Sequence, residues 1–195
     1  MPDALLVDSH CHLDFPDFAD ELDDVVTRAT EQGVGHCLTI CTHVTKFAQV
    51  RAVAEKYDHI FCTVGIHPHN VEDEPETSAQ TLIDMAQDSK VVGIGETGLD
   101  FFYDHSPRDL QEKSFREHIA ASRETGLPIV IHSREAEDKT IEILRDEMGK
   151  GAFPGVMHCF SSHPRLADAA LELGLYISFS GIVTFKKADE LRGVV

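Results

Sequence analysis

The chain has 195 residues, 42% hydrophobic and 26% charged, which suits a globular protein with a substantial buried core. Its formal charge of −17 excludes a broad basic surface that wraps nucleic acid, since such binding works by phosphate neutralisation and counterion release. An enzyme that grips a few phosphates through bound cations is still allowed, because those ions dominate their local field.

Taken in order, the apolar runs are ALLVDSH, HCLTIC, IFCTVGIH, VVGIGE, PIVIHS, GVMHCF and LYISFSGIV. Between them lie amphipathic stretches such as DELDDVVTRATEQG, FAQVRAVAEKY, LQEKSFREHIAASRETG and TIEILRDEMG, several closed by glycine, a common helix stop. Near-continuous apolar strands alternating with helices predict an α/β chain with a parallel sheet buried on both faces. No low-complexity tract or linker interrupts the pattern, so residues 1–195 are read as one domain.

Two architectures compete, an open doubly wound sheet and a TIM-type (β/α)8 barrel. The polar residues decide between them. His10 and His12 close the first run, His67 the third, Glu96 the fourth, His132 the fifth and His158 the sixth. Chemistry drawn from the carboxyl ends of many strands is a barrel property. The expectation is therefore a (β/α)8-type barrel, truncated here to about seven β/α units.

Alternation along the first strand would aim Asp8, His10 and His12 to one side. Imidazoles and a carboxylate gathered at one mouth suit divalent cations such as Zn, Mg or Mn. A pair of such ions can activate water and neutralise charge developing on a phosphoryl group. Arg134, two residues beyond His132, is read as a phosphate contact. Asp8 is read either as a support for a histidine or as a strand-end cap. Asp100 is read likewise, either as a support for a histidine or as a loop-turn residue, and Cys11 and Cys159 as packing groups. His36, His43, His59, His105, His118 and His163 recur in no common slot and are read as surface or helix residues.

The motifs DSHCHLDF, VGIHPH, GETGLDF, PIVIHSR, HCFS and YISFSG together resemble the successive signatures of the TatD family of metal-dependent deoxyribonucleases, a branch of the amidohydrolase-type barrels. The resemblance runs from residue 5 to residue 185. It implies that His10 and His12 hold one metal, that Glu96 is shared, that His132 and His158 hold the second, and that His67 lies near the substrate phosphate. It also implies two divalent metal ions and a DNA substrate engaged at ends or as single strands. Relatives carry a further strand ending in Glu-Thr-Asp, which residues 1–195 do not contain. On that basis the expectation includes weakened occupancy at His10 and His12, and an open barrel edge through which copies associate. The competing functional readings are another amidohydrolase-type hydrolase, acting on C–N, lactone or phosphotriester bonds, and an inactive fragment.

No apolar run approaches the ~18 residues of a membrane span, and the start of the chain lacks the basic and apolar regions of a signal peptide. Five scattered cysteines fit reduced thiols better than a disulfide framework. The expected compartment is the cytoplasm.

Overall fold

The computed structural model describes residues 5–195. Seven strands form one parallel sheet: β1 (Leu6–Cys11), β2 (Val34–Thr39), β3 (Ile60–Val64), β4 (Val91–Asp100), β5 (Ile129–Arg134), β6 (Gly155–Met157) and β7 (Tyr176–Ile177). Each strand pairs with the next in sequence, so the spatial order is β1-β2-β3-β4-β5-β6-β7. A doubly wound sheet reverses its order at a switch point. This one never does.

The sheet is also strongly curled. Strands in a flat sheet are about 4.8 Å apart, so β1 and β6 would be separated by about 24 Å. Instead the rings of His10, on β1, and His158, just past β6, stack with centroids 3.4 Å apart. The result is a half-barrel of the TIM type. Among the described residues nothing pairs β7 with β1, and the two edges carry exposed Leu6, Val7 and Tyr176.

Helices α1 (Leu22–Glu31), α2 (Phe47–Lys56), α3 (Ala79–Met85), α4 (Arg108–Thr125), α5 (Glu137–Lys150) and α6 (Pro164–Glu172) fill the connections, and α7 (Asp189–Arg192) follows the last strand. α4 shows why they form. Gln111, Ser114, Phe115, His118, Ile119 and Ser122 recur at three- and four-residue spacing and make up its buried stripe. Gly126 ends it at φ 72°, and its N–H donates to the Ser122 carbonyl at 2.8 Å.

Between sheet and helices the core fills two adjoining volumes. One gathers Ile129 and Ile131 of β5 with Phe115, Ile119, Ile143 and Leu144 from α4 and α5. The other gathers Ile60, Cys62 and Val64 of β3 with Val50, Ala54 and Leu82.

Two local expectations need correction. LYISFSGIV pairs only at Tyr176–Ile177, after which a tight turn of 3-10 helix occupies Gly181–Thr184. Its partner β6 is itself only three residues long, and just past the two strands the Phe160 N–H donates to the Ser178 carbonyl at 2.8 Å. The helices α3 and α6 belong to stretches without an assigned helix in the sequence reading. α3 is seven residues long and buries only Leu82, too little to stand out as a periodic pattern.

Candidate metal centre

Two irregularities in the sheet create the site. On β4 and β5, Gly95 pairs with Val130 and Thr97 with Ile131, which leaves Glu96 as an extra residue. On β1 and β2, Asp8 pairs with Cys37 and Cys11 with Thr39, so Ser9 and His10 face the single residue Leu38. Bulges of this kind re-aim a side chain that regular alternation would place elsewhere. The strands are held unusually close beside them. A Cβ on Gly98, whose φ is 135°, would lie 2.0 Å from the His132 carbonyl oxygen. No other residue fits there.

Glu96, 3% exposed, is the hub. His10 Nε2 lies 3.2 Å from its Oε2. His132 Nδ1, His158 Nε2 and His67 Nε2 lie 3.2, 3.6 and 3.7 Å from its Oε1. His12 packs against His10 with ring centroids 5.1 Å apart. His12, His67, Glu96, His132 and His158 thus line one cleft of about 730 Å³, and His10 meets it from behind through Glu96. Asp14, Thr42, His43, Lys46 and His69 also line it.

Electrostatics follow from burial and neighbours. Burial alone would raise the Glu96 carboxyl, but hydrogen bonds with His10 and His132 and the nearby His67 and His158 hold it well below the usual carboxylate range. Burial opposes charge on His132 as well. Its two nitrogens nevertheless face carboxylates, Glu96 on one side and Asp100 Oδ2 at 3.0 Å on the other, and it is pushed up to about 9. Burial, aided by neighbouring imidazoles, lowers His67 to about 3 and His158 to about 4, and it lowers His12 too. A neutral imidazole keeps the lone pair that a cation needs.

The donor set fits a metal on two further observations. His10 Nδ1, His12 Nδ1 and Asp14 Oδ1 are buried without a hydrogen-bond partner, although such atoms are nearly always satisfied. Two triads also offer ligand atoms within 4.8 Å of one another, His10–His12–Glu96 and His67–His69–His132.

Residues 7–195 match the family model described as TatD related DNase. The chain belongs to the TatD family. It is 39% identical over 190 residues to the uncharacterized metal-dependent hydrolase YcfH of Escherichia coli K12, covering 96% of this chain and 71% of that protein. Over 178 residues it is 34% identical to the protein named 3'-5' ssDNA/RNA exonuclease TatD of Escherichia fergusonii, covering 91% of this chain and 66% of that one. The crystal structure of the TatD homologue YjjV from E. coli K12 superposes with a TM-score of 0.87 at 31% identity, over 97% of this chain and 73% of that chain. The chain is therefore a metal-dependent hydrolase of the TatD family with a TIM-barrel-like fold.

Not every residue of this TatD-family chain sits where the sequence placed it. Asp8 is exposed and its Oδ1 accepts the His10 backbone N–H at 3.1 Å, so it braces the strand end rather than an imidazole ring. Arg134 does not line the cleft. Its guanidinium lies over the rings of Phe102 and Tyr103. Cys11 and Cys159, by contrast, keep to the reading of packing groups: their thiols turn to the Leu38 carbonyl and the Ser180 hydroxyl, and they belong to neither triad.

Asp100 takes the first of its two readings and supports histidines. Fully buried, it accepts the Phe102 and Tyr103 amides while holding His69 Nε2 at 2.7 Å and His132 Nε2 at 3.0 Å. His69 was in view in the sequence as part of GIHPH, where one histidine of the pair drew the attention. His43 lines the cleft instead of standing apart from it, and no recurring slot marks it in the sequence.

Proposed function

We propose that this TatD-family hydrolase cleaves phosphodiester bonds of DNA from an end, in the cytoplasm, with two divalent cations at the cleft. The observation that carries this reading is the convergence of four imidazoles on the one buried carboxylate of Glu96. The relative named a ssDNA/RNA exonuclease supports the choice of substrate, and five free thiols suit a reducing compartment.

His10, His12 and Glu96 would hold the first cation, and Glu96, His132 and His158 the second. Bound there, the pair supplies a water acidic enough to attack at neutral pH and positive charge opposite the phosphoryl oxygens. Glu96, ionised at all ordinary pH, supplies the negative charge that keeps two cations close. Asp100 fixes the His132 ring through Nε2 and leaves Nδ1 turned towards Glu96.

His67 is better suited to substrate than to metal. Its Nδ1 accepts the His69 amide at 3.2 Å, so the neutral ring carries its proton on Nε2. That N–H faces the cleft as a donor for a phosphate oxygen. The triad His67–His69–His132 offers a second arrangement of ligands. Its weakness is that His69 Nε2 and His132 Nε2 both already engage Asp100.

The test is hydrolysis of an end-labelled single-stranded oligonucleotide by chelator-treated protein resupplied with Mg, Mn or Zn. Stepwise shortening is expected, and Glu96→Gln should reduce it by at least about a hundredfold. His67→Ala should raise KM at unchanged metal content, whereas a drop in metal content would favour the alternative triad. Equal cleavage by wild type and Glu96→Gln would refute the mechanism. Hydrolysis confined to amide, lactone or phosphotriester substrates would move the chain to another branch of amidohydrolase chemistry, and no hydrolysis at all would mark an inactive chain.

A further inference from the structure

Beside the cleft, outside the proposed ligands, Phe102 and Tyr103 are 49% and 47% exposed. Large aromatic rings normally end up inside, and two adjacent ones left half in water at the rim of a site call for an explanation. They are firmly placed. The Asp100 carboxylate accepts both of their amides, at 3.1 and 2.9 Å, and the same carboxylate holds His69 and His132. The Tyr103 ring stands edge-on to His69, which lines the cleft, at 5.4 Å, and lies parallel to the His105 ring at 5.4 Å.

Arg134 completes the arrangement. Its guanidinium carbon lies 4.3 Å from the centre of the Phe102 ring and 4.7 Å from that of Tyr103. Of the nine arginines in the sequence, Arg134 is the only one without an ion-pair partner among the described residues. Stacked on aromatic faces, it keeps its N–H edge free for an anionic ligand, the geometry at which arginine excels.

We infer that Phe102, Tyr103 and Arg134 form a stacking platform for nucleobases of a single-stranded nucleic acid whose scissile phosphate lies in the cleft. This rests on the phosphodiesterase reading above and adds where the strand is held. A base presents a π-face to the side of Phe102 that Arg134 leaves open, whatever its identity, with Tyr103 backing the pair and Arg134 meeting the adjoining phosphate. Such a grip needs little positive surface, which reconciles a nucleic-acid substrate with a charge of −17. It also favours unpaired strands, whose bases are free to leave their neighbours.

The experiment compares wild type, the double variant Phe102→Leu/Tyr103→Leu, and Phe102→Tyr/Tyr103→Phe on two single-stranded oligonucleotides of equal length. One carries natural bases; the other carries abasic tetrahydrofuran units at the end attacked. Leucine keeps apolar bulk but offers no ring face, and the aromatic swap keeps both faces. For the natural strand the leucine variant should raise KM about tenfold, in the range of one lost base stack, with kcat changed less than about twofold. The aromatic swap should restore KM, and all three proteins should converge on the abasic strand. If wild type cleaves both strands with the same KM, the platform is wrong while the phosphodiesterase reading stands. The same holds if the leucine variant matches wild type on the natural strand. If wild type cleaves neither strand with any of the three metals, the phosphodiesterase reading fails and the platform falls with it.

Discussion

His118 Nε2 accepts the backbone N–H of Ile66 at 3.0 Å, across 52 positions of sequence. Its Nδ1 lies 2.7 Å from the Ser114 carbonyl, so the ring is neutral with its proton on Nδ1 and both nitrogens satisfied. Ile66 is the residue before His67, so a fully buried ring on α4 pins the loop that aims a cleft histidine.

Replacing His118 by alanine should therefore leave the Ile66 N–H buried without a partner and open a cavity beside it. Each is costly, and together they should lower stability by about 2–4 kcal/mol. Urea unfolding would show a lower midpoint at an unchanged slope. A loss below about 0.5 kcal/mol, the range of ordinary surface changes, would show that the pin carries no weight.

His118 should also make the protein sensitive to acid over a defined range. Burial lowers it to about 4 from an ordinary value of 6.5. The unfolded chain then takes up a proton below 6.5 that the folded chain refuses until about 4. Stability falls as pH drops through that window and is unaffected by this group above it. The loss approaches about 3 kcal/mol at ~1.4 kcal/mol per unit. His118→Gln removes the titration, so its stability should fall less than that of wild type between about pH 7 and pH 4.5. Parallel curves for the two proteins would contradict the assignment.

Cations should stabilise the fold in proportion to their affinity, because the donor cluster exists only when distant strands have met. Saturation at about a hundred times Kd is worth about 2.7 kcal/mol. Thermal unfolding with Zn or Mn and then with a chelator should show the rise and its reversal. The rise should shrink in His10→Ala and vanish in Glu96→Gln. An equal rise in all three would place the ion elsewhere.

Thiol chemistry offers an independent check on packing. Cys41 and Cys62 are fully buried, and burial pushes their thiols up to about 11 and about 12. The half-buried Cys11 is raised by burial and by nearby Asp8. A thiol-reactive chromophore should label at most Cys159 readily in the native protein and all five cysteines after denaturation. Rapid native labelling of Cys41 or Cys62 would show that β2 and β3 are open.

The exposed apolar side chains on β1 and β7 bear on association. Leu6, Val7 and Tyr176 lie on edge strands of the described sheet, and unprotected edges recruit further strands. The 195-residue chain is expected to self-associate as its concentration rises, which light scattering would detect. A monodisperse monomer throughout the range would rule this out.

What could be read from the residues alone divides along a physical line. Strand-end donors were legible because each followed an apolar run, and repetition of that slot pointed to the barrel mouth. The geometry inside the slot was not legible. Regular alternation puts Asp8, His10 and His12 on one face, but the bulge at Ser9–His10 leaves Asp8 exposed. Bulges depend on how two strands pair, and one strand's pattern carries no trace of its partner. What Asp100, His43 and His118 do in the fold is illegible in the sequence for a related reason. Asp100 meets His69 across 31 positions and His118 meets Ile66 across 52, while His43 shares the cleft with residues as distant in sequence as His132 and His158.

The sequential strand order has a consequence for how the protein comes into being. Each β/α unit can add to the one before it, so the sheet can grow in the order of synthesis with short-range contacts leading. The cleft cannot grow that way. His10 meets His158 only after 148 further residues (158 − 10) have been made and the sheet has curled. A nascent chain therefore carries its first two histidines well before Glu96, His132 and His158 exist to share an ion with them. Tight cation capture is thus a late event, reserved for chains whose curvature is already right.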